Sequence, residues 1–262
     1  MALRTPRVFL LAVVNLLSAA CAAAQSDPAE RAEFRIENRV FVDNEKEPHS
    51  ESTTVFFRGI VYDYLKKPAE ATVFDKPRGR FILLDMTRRV HTEVTMEKVA
   101  AFADALRQWA ASQSDPFVQF LGDPRFDEQV DEGSRQLAFD SPWMQYHLTA
   151  VDTEDAAISR AYREFSDWHC RLNTLLTPGA RPPFPRMAVN AALEKRQLFP
   201  SEAHLVIHPK KGLAPKRMSI RSEHQLIRRL VESDRDRVAQ TDQFMAIFRR
   251  VSFEEYQGKI AN

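Results

Sequence analysis

The chain has 262 residues, 28% charged and 44% hydrophobic, with 37 basic against 36 acidic side chains and a formal net charge of +1. That is enough material for one sizeable hydrophobic core, and the balanced charge excludes a nucleic-acid binder driven by net charge. Seven glycines are too few for a low-complexity chain and argue against a glycine-rich nucleotide loop.

Residues 1–7 carry Arg4 and Arg7 and no acid, 8–17 are apolar apart from Asn15, and 18–24 are nearly all small. This is the layout of a secretory signal peptide, and Ala22-Ala23-Ala24 before Gln25 fits small-x-small cleavage. The apolar run is short for a permanent membrane span. The expected mature chain is therefore a single α+β domain over 25–262, exported to the periplasm or cell envelope. Leu17-Ser18-Ala19-Ala20-Cys21 resembles a bacterial lipoprotein box, but Ser18 stands where Leu, Val or Ile is usual. Plain secretion is the first reading and lipid attachment at Cys21 the alternative. Cys170 is the only other cysteine, which leaves no internal disulfide.

Residues 34–42 alternate, with Phe34, Ile36, Val40 and Val42 on one face and Arg35, Glu37 and Arg39 on the other, as in a half-buried strand. A charged turn over 43–51 leads to 53–65, expected as one long strand bent at Gly59. Its two faces are both apolar, so each requires a cover. Residues 70–75, 80–86 and 89–94 read as further strands, broken by Pro, Gly and paired cations, and together they form a meander.

Thr95 caps an expected helix over 96–111, whose stripe is Val99, Phe102, Ala103, Leu106, Trp109 and Ala110. Residues 115–122 form an element of undetermined type. Three strands follow at 125–130, 135–139 and 143–151. In the last, Met144, Tyr146, Leu148 and Ala150 face away from Trp143, Gln145, His147 and Thr149. Asp152 or Thr153 caps a second helix over 154–176, striped by Ile158, Ala161, Tyr162, Phe165, Trp168, Leu172 and Leu175. Pro182, Pro183 and Pro185 make a stiff connector to a short helix at 186–196. Strands are expected at 203–207 and 217–220, a segment of either type at 224–231, and a helix at 234–248. Residues 251–256 close the pattern.

Chemistry is sparse in this sequence. His204 and His208 lie across a strand without the helical spacing of zinc pairs, and His169 and Cys170 are adjacent, so on a helix they diverge. Cys170, in an aromatic-rich helix, reads as a small buried hydrophobe. Asp152, Glu154 and Asp155 read as a helix start, and Glu254-Glu255 as a solvated terminus. There is no G-x-S-x-G, G-x-G-x-x-G, P-loop or H-E-x-x-H. The sequence assigns no catalytic residue, no cofactor and no metal ligand, and leaves ligand-binding residues unassigned. Lys210-Lys211-Gly212-Leu213-Ala214-Pro215-Lys216-Arg217 is the densest cationic cluster. It reads first as a solvated hairpin loop and second as a peripheral contact with anionic headgroups.

The order of elements gives α+β with a largely antiparallel, curved sheet and helices on its concave face. Within it, Tyr64-Leu65-Lys66-Lys67-Pro68, then Ala71-Thr72-Val73-Phe74-Asp75, then Gly79-Arg80-Phe81-Ile82-Leu83-Leu84-Asp85 and Arg89-Val90-His91-Thr92-Glu93-Val94 resemble the LolA-type periplasmic lipoprotein carriers. The resemblance covers about a fifth of the chain. It implies an open half-barrel that binds acyl chains in an apolar cavity roofed by helices, with lipid or acylated protein as partner and no nucleic acid. The long helix and the proline connector depart from that family, so fold and ligand class carry over and no binding residue does. The alternatives are an envelope interaction or assembly module, and a hydrolase using His147 or His169.

Overall fold

The computed structural model describes residues 32–43, 45–177, 179–208 and 218–258. The expected signal peptide, Cys21 and the whole cationic cluster 210–217 lie outside the described residues. Twelve strands form one open sheet in the order β12-β6-β5-β4-β3-β2-β1-β11-β10-β9-β8-β7. Two meanders build it. β1 (Phe34–Val42), β2 (Ser50–Phe57), β3 (Ile60–Leu65), β4 (Glu70–Asp75), β5 (Arg80–Asp85) and β6 (Val90–Thr95) run outward from the middle. β7 (Asp127–Asp131), β8 (Gln136–Asp140), β9 (Met144–Asp152), β10 (Leu198–Ile207) and β11 (Met218–Ile227) return from the far edge. There β11 pairs with β1. Neighbours are antiparallel except β12 (Arg249–Arg250), which pairs parallel with β6. The α+β class and the open curved sheet expected from the sequence are what the chain forms.

The stretch 53–65 is a hairpin rather than one bent strand. Arg58 and Gly59 both take positive φ, 51° and 76°, as a two-residue type I′ turn requires. The reversal sets Phe56 opposite Val61 and Val55 opposite Tyr62, so the two faces differ from those of a continuous strand. One face carries a row formed by Phe34, Phe56, Val61, Phe74, Phe81 and Val94 on six successive strands. Phe34 stacks on Phe56 at 4.0 Å and Phe74 on Phe81 at 4.9 Å. The long helix α3 (Ala156–Leu176) lies over this row, with the Phe165 ring edge-on to Phe56 at 5.7 Å.

The opposite face of the same strands carries Val55, Tyr62, Val73 and Ile82, and α5 (Glu232–Ile247) covers it through Val238 and Phe244. Helices thus occupy both faces, as the apolar residues on both sides of these strands require. Tyr64 Oη and Thr241 Oγ1 are 3.0 Å apart, and Arg35 pairs with Asp234 at 2.7 Å, tying α5 to the sheet. Residues 234–248, expected as a helix, fall largely within α5.

In the second meander the alternation in β9 is as read, with Met144, Tyr146, Leu148 and Ala150 buried. They pack with Leu137 and Phe139 beneath α2 (Pro116–Gly122) and α4 (Phe184–Lys195). Residues 115–122 are this helix α2, capped by Asp115, whose carboxylate accepts from Phe117 N. α1 (Met96–Ser112) is capped by Thr95 as expected, through Lys98 N at 3.1 Å. It crosses close to α2. A Cβ on Gly122 would lie 2.8 Å from Ala110 Cβ, so only glycine permits this approach.

Three boundaries differ from the sequence reading. The α3 cap is Asp155, which accepts from Ala157 N at 2.8 Å, because Asp152 still belongs to β9 and Glu154 turns with φ 60°. β10 begins at Leu198, its ladder shifting register between Pro200 and Glu202, where proline cannot donate. Within the expected segments 217–220 and 224–231, residues 218–227 form one strand, β11, whose side chains are nearly all half-buried on either face. The chain's last described element is α6 (Phe253–Gln257), and among the described residues no helix is long and apolar enough to cross a membrane.

Candidate functional site

Between the two cores, where α3 and α4 pass over the centre of the sheet, a cavity of about 410 Å³ remains. Its floor is two cross-strand rows. One runs Ile36, Thr54, Asp63, Thr72, and the other His224, Asn38, Ser52, Leu65, Glu70. Its roof is Tyr162, Phe165, Ser166, His169, Asn173 and Leu176 of α3, with Arg186 from the first turn of α4. The sequence suggested an apolar space here. Most of the lining residues are polar, yet more of the exposed wall is apolar than polar, with Ile36, Val40, Leu65, Phe165, Leu176 and the body of Tyr162 contributing to it.

The floor is a directed hydrogen-bond chain. Asn38 Nδ2 donates to Ser52 Oγ at 3.2 Å and Thr54 Oγ1 at 3.0 Å, and Thr54 donates to Asp63 Oδ1 at 2.6 Å. Asn38 Oδ1 is left as an acceptor for His224 Nδ1 at 2.8 Å. With its proton on Nδ1, His224 accepts from Ser222 Oγ at Nε2, 3.1 Å away. Burial, and then the nearby Arg186 charge, push the His224 pKa down to about 3, so the imidazole is neutral, as this tautomer requires. Asp63 ends the chain, with His169 Nε2 4.0 Å from its other oxygen. The His169 ring is held by stacking on Phe165 at 5.1 Å.

Arg186 is the unusual member. The prolines on either side of Phe184 set the start of α4 and hold this side chain under α3. The residue is part-buried and lines the cavity. Its one side-chain hydrogen bond runs from Nη2 to Tyr162 Oη at 2.9 Å. Among the described residues no carboxylate lies within ion-pair distance of it, and the titratable groups nearest it are Tyr162, Cys170 and Tyr146. Burial pushes the Cys170 thiol up to about 11 and the Tyr146 hydroxyl to about 12, so neither supplies a counter-charge at neutral pH. This fits the reading of Cys170 as an inert buried thiol.

Of the histidines singled out from sequence, only His169 reaches the cavity. His147 lies on the outer face of β9 opposite His204 of β10, and His204 instead meets Ser219 Oγ at 2.6 Å. Among the described residues no group of three or more His, Cys, Asp and Glu side chains is placed to hold a metal ion. Asp155 is a helix cap, and Asp152 and Glu154 pair with Arg135 and Arg228. A larger groove of about 650 Å³ lies among α1, α2, α3 and α4. There Arg163 pairs with Glu194 and Asp167, and Arg107 covers the Phe184 ring at 4.1 Å.

Sequence reasoning missed Asn38, Thr54, Asp63, Arg186 and His224. The signal was present at two of them: Asn38 interrupts the apolar side of β1, and Asp63 sits inside Val-Tyr-Asp-Tyr of β3. No protein-family model matches the chain, and a search of curated proteins returns no relative.

Proposed function

We propose that the chain is an exported, non-enzymatic binding protein of the LolA-like half-barrel type that receives a lipid or acyl group between its sheet and α3. One observation carries the reading: a cavity of about 410 Å³ lies between an open antiparallel sheet and the helices that roof it. That size falls in the lower part of the range of ligand pockets, about 300–1,000 Å³. It suits one short chain rather than several. The polar floor and the apolar strip from Val40 to Leu176 favour an amphipathic ligand over a bare hydrocarbon. Displacement of a fluorescent fatty acid from the protein, with native mass spectrometry of the purified chain, tests the reading. Saturable displacement supports it, and a protein that takes up no acyl compound ends it.

A second reading rests on His169 beside Asp63 in the same cavity. In a hydrolase His169 would act as general base toward a water, oriented by the Asp63 carboxylate. Turnover of p-nitrophenyl butyrate that disappears in His169→Ala would replace the binding reading with this one.

A further inference from the structure

We infer that Arg186 is the anchor of a monoanionic headgroup, a carboxylate, which lies against Arg186 and Tyr162 with its apolar part directed along Val40, Phe165 and Leu176. The inference rests on the binding reading above and names the ligand class of that cavity. A guanidinium taken out of water loses its hydration, and proteins ordinarily compensate with a carboxylate in bidentate contact. Among the described residues the Arg186 side chain donates one hydrogen bond, to Tyr162, and it lines an open space, so donors are left for a ligand there. Its neighbours keep that space free of competing charge, since His224 is neutral and bonded within the floor.

The other end of the cavity limits the ligand's charge. Asp63 on β3 lies three strand spacings from His224 on β11, roughly 14 Å at about 4.8 Å per strand. The floor is therefore basic-roofed at the β11 end and acidic at the β3–β4 end, where Asp63 and Glu70 stand. One cation balances one negative charge. A dianionic phosphate would leave an uncompensated charge in a space that already holds a carboxylate.

Isothermal titration calorimetry with decanoate, methyl decanoate and butanoate, on the wild-type chain and on Arg186→Gln, tests this. Arg186→Lys serves as a charge-retaining control. Decanoate binding in the wild type, with methyl decanoate and Arg186→Gln each weaker by about tenfold or more and Arg186→Lys in between, is the expected result. If methyl decanoate binds as tightly as decanoate and Arg186→Gln changes nothing, the anchor is overturned while acyl binding stands. If butanoate binds in an Arg186-dependent way and decanoate does not, the anchor stands and acyl binding falls. Binding of none of the three overturns both. Thermal unfolding checks that the variant folds, and Arg186→Gln is expected to melt no lower than wild type, because it removes a buried charge without a counter-ion.

Discussion

Asn38 and Asp63 occupy positions where the alternation of their strands calls for an apolar side chain, and each is held by its neighbours rather than by water. Asn38 spends both amide protons on Ser52 and Thr54 and its oxygen on His224. The neutral His224 makes stability depend on pH in a definite direction. The unfolded chain takes up a proton near 6.5, whereas the folded protein refuses it down to about 3. The contribution of this residue is therefore complete above about pH 6.5 and drains away as pH falls toward 3, with an upper size of roughly 5 kcal/mol. Urea midpoints followed from neutral pH to about pH 4 should fall more steeply for wild type than for His224→Gln. Parallel slopes would show that the imidazole is not held neutral. At a second residue, Gly122→Ala places a methyl 2.8 Å from Ala110 Cβ and forces α1 and α2 apart. A loss of about 1–3 kcal/mol in urea unfolding is expected.

At the scale of elements, α3 and α5 attach to the sheet by different means. α3 rests on an aromatic surface. Phe165 meets Phe56 and Phe74, and Trp168 meets Phe74 and Phe81. α5 has a weak apolar stripe and leans on polar ties, chiefly Arg35 to Asp234 and Tyr64 to Thr241. Arg35→Met should leave the buried Asp234 carboxylate with only its contact to Val231 N. The expected cost is about 2–3 kcal/mol, below that of a fully enclosed pair because Arg35 keeps contact with solvent. Hydrogen exchange would show α5 amides losing protection first if the helix depends on this tie. The helices at 96–111 and 154–176 were legible because their stripes are long and regular. The hairpin at 58–59 and the continuity of β11 were not. A two-residue turn leaves no gap in an apolar run, and a strand half-buried on both faces shows no clean alternation.

For the whole molecule the decisive pairing is β1 with β11, between residues about 190 apart in sequence. It joins a meander that begins the described chain to one that ends near its far side. The two halves have separate cores, one around Phe81 and Phe165 and the other around Leu137 and Tyr146. Because β1 and β11 share one ladder, the halves should unfold together. Phe81→Ala, at a fully buried ring, is expected to cost about 3–5 kcal/mol and Leu137→Ala about 2–5 kcal/mol. Each should lower the same single transition in circular dichroism and tryptophan fluorescence. Two resolved transitions, each sensitive to one variant, would show that the halves fold independently.

Local pattern was enough for the class of the fold, most of the strand meander from 53 to 94 and the two amphipathic helices. Those properties depend on periodicity and composition, which are local. Long-range packing sets α5 over the outer face and gathers Asn38, Asp63, His169, Arg186 and His224 around one cavity. These five residues come from β1, β3, α3, α4 and β11, and nothing in their spacing along the chain relates them. Cross-strand register and the passage of two helices over the sheet centre bring them together, and both are set by long-range packing.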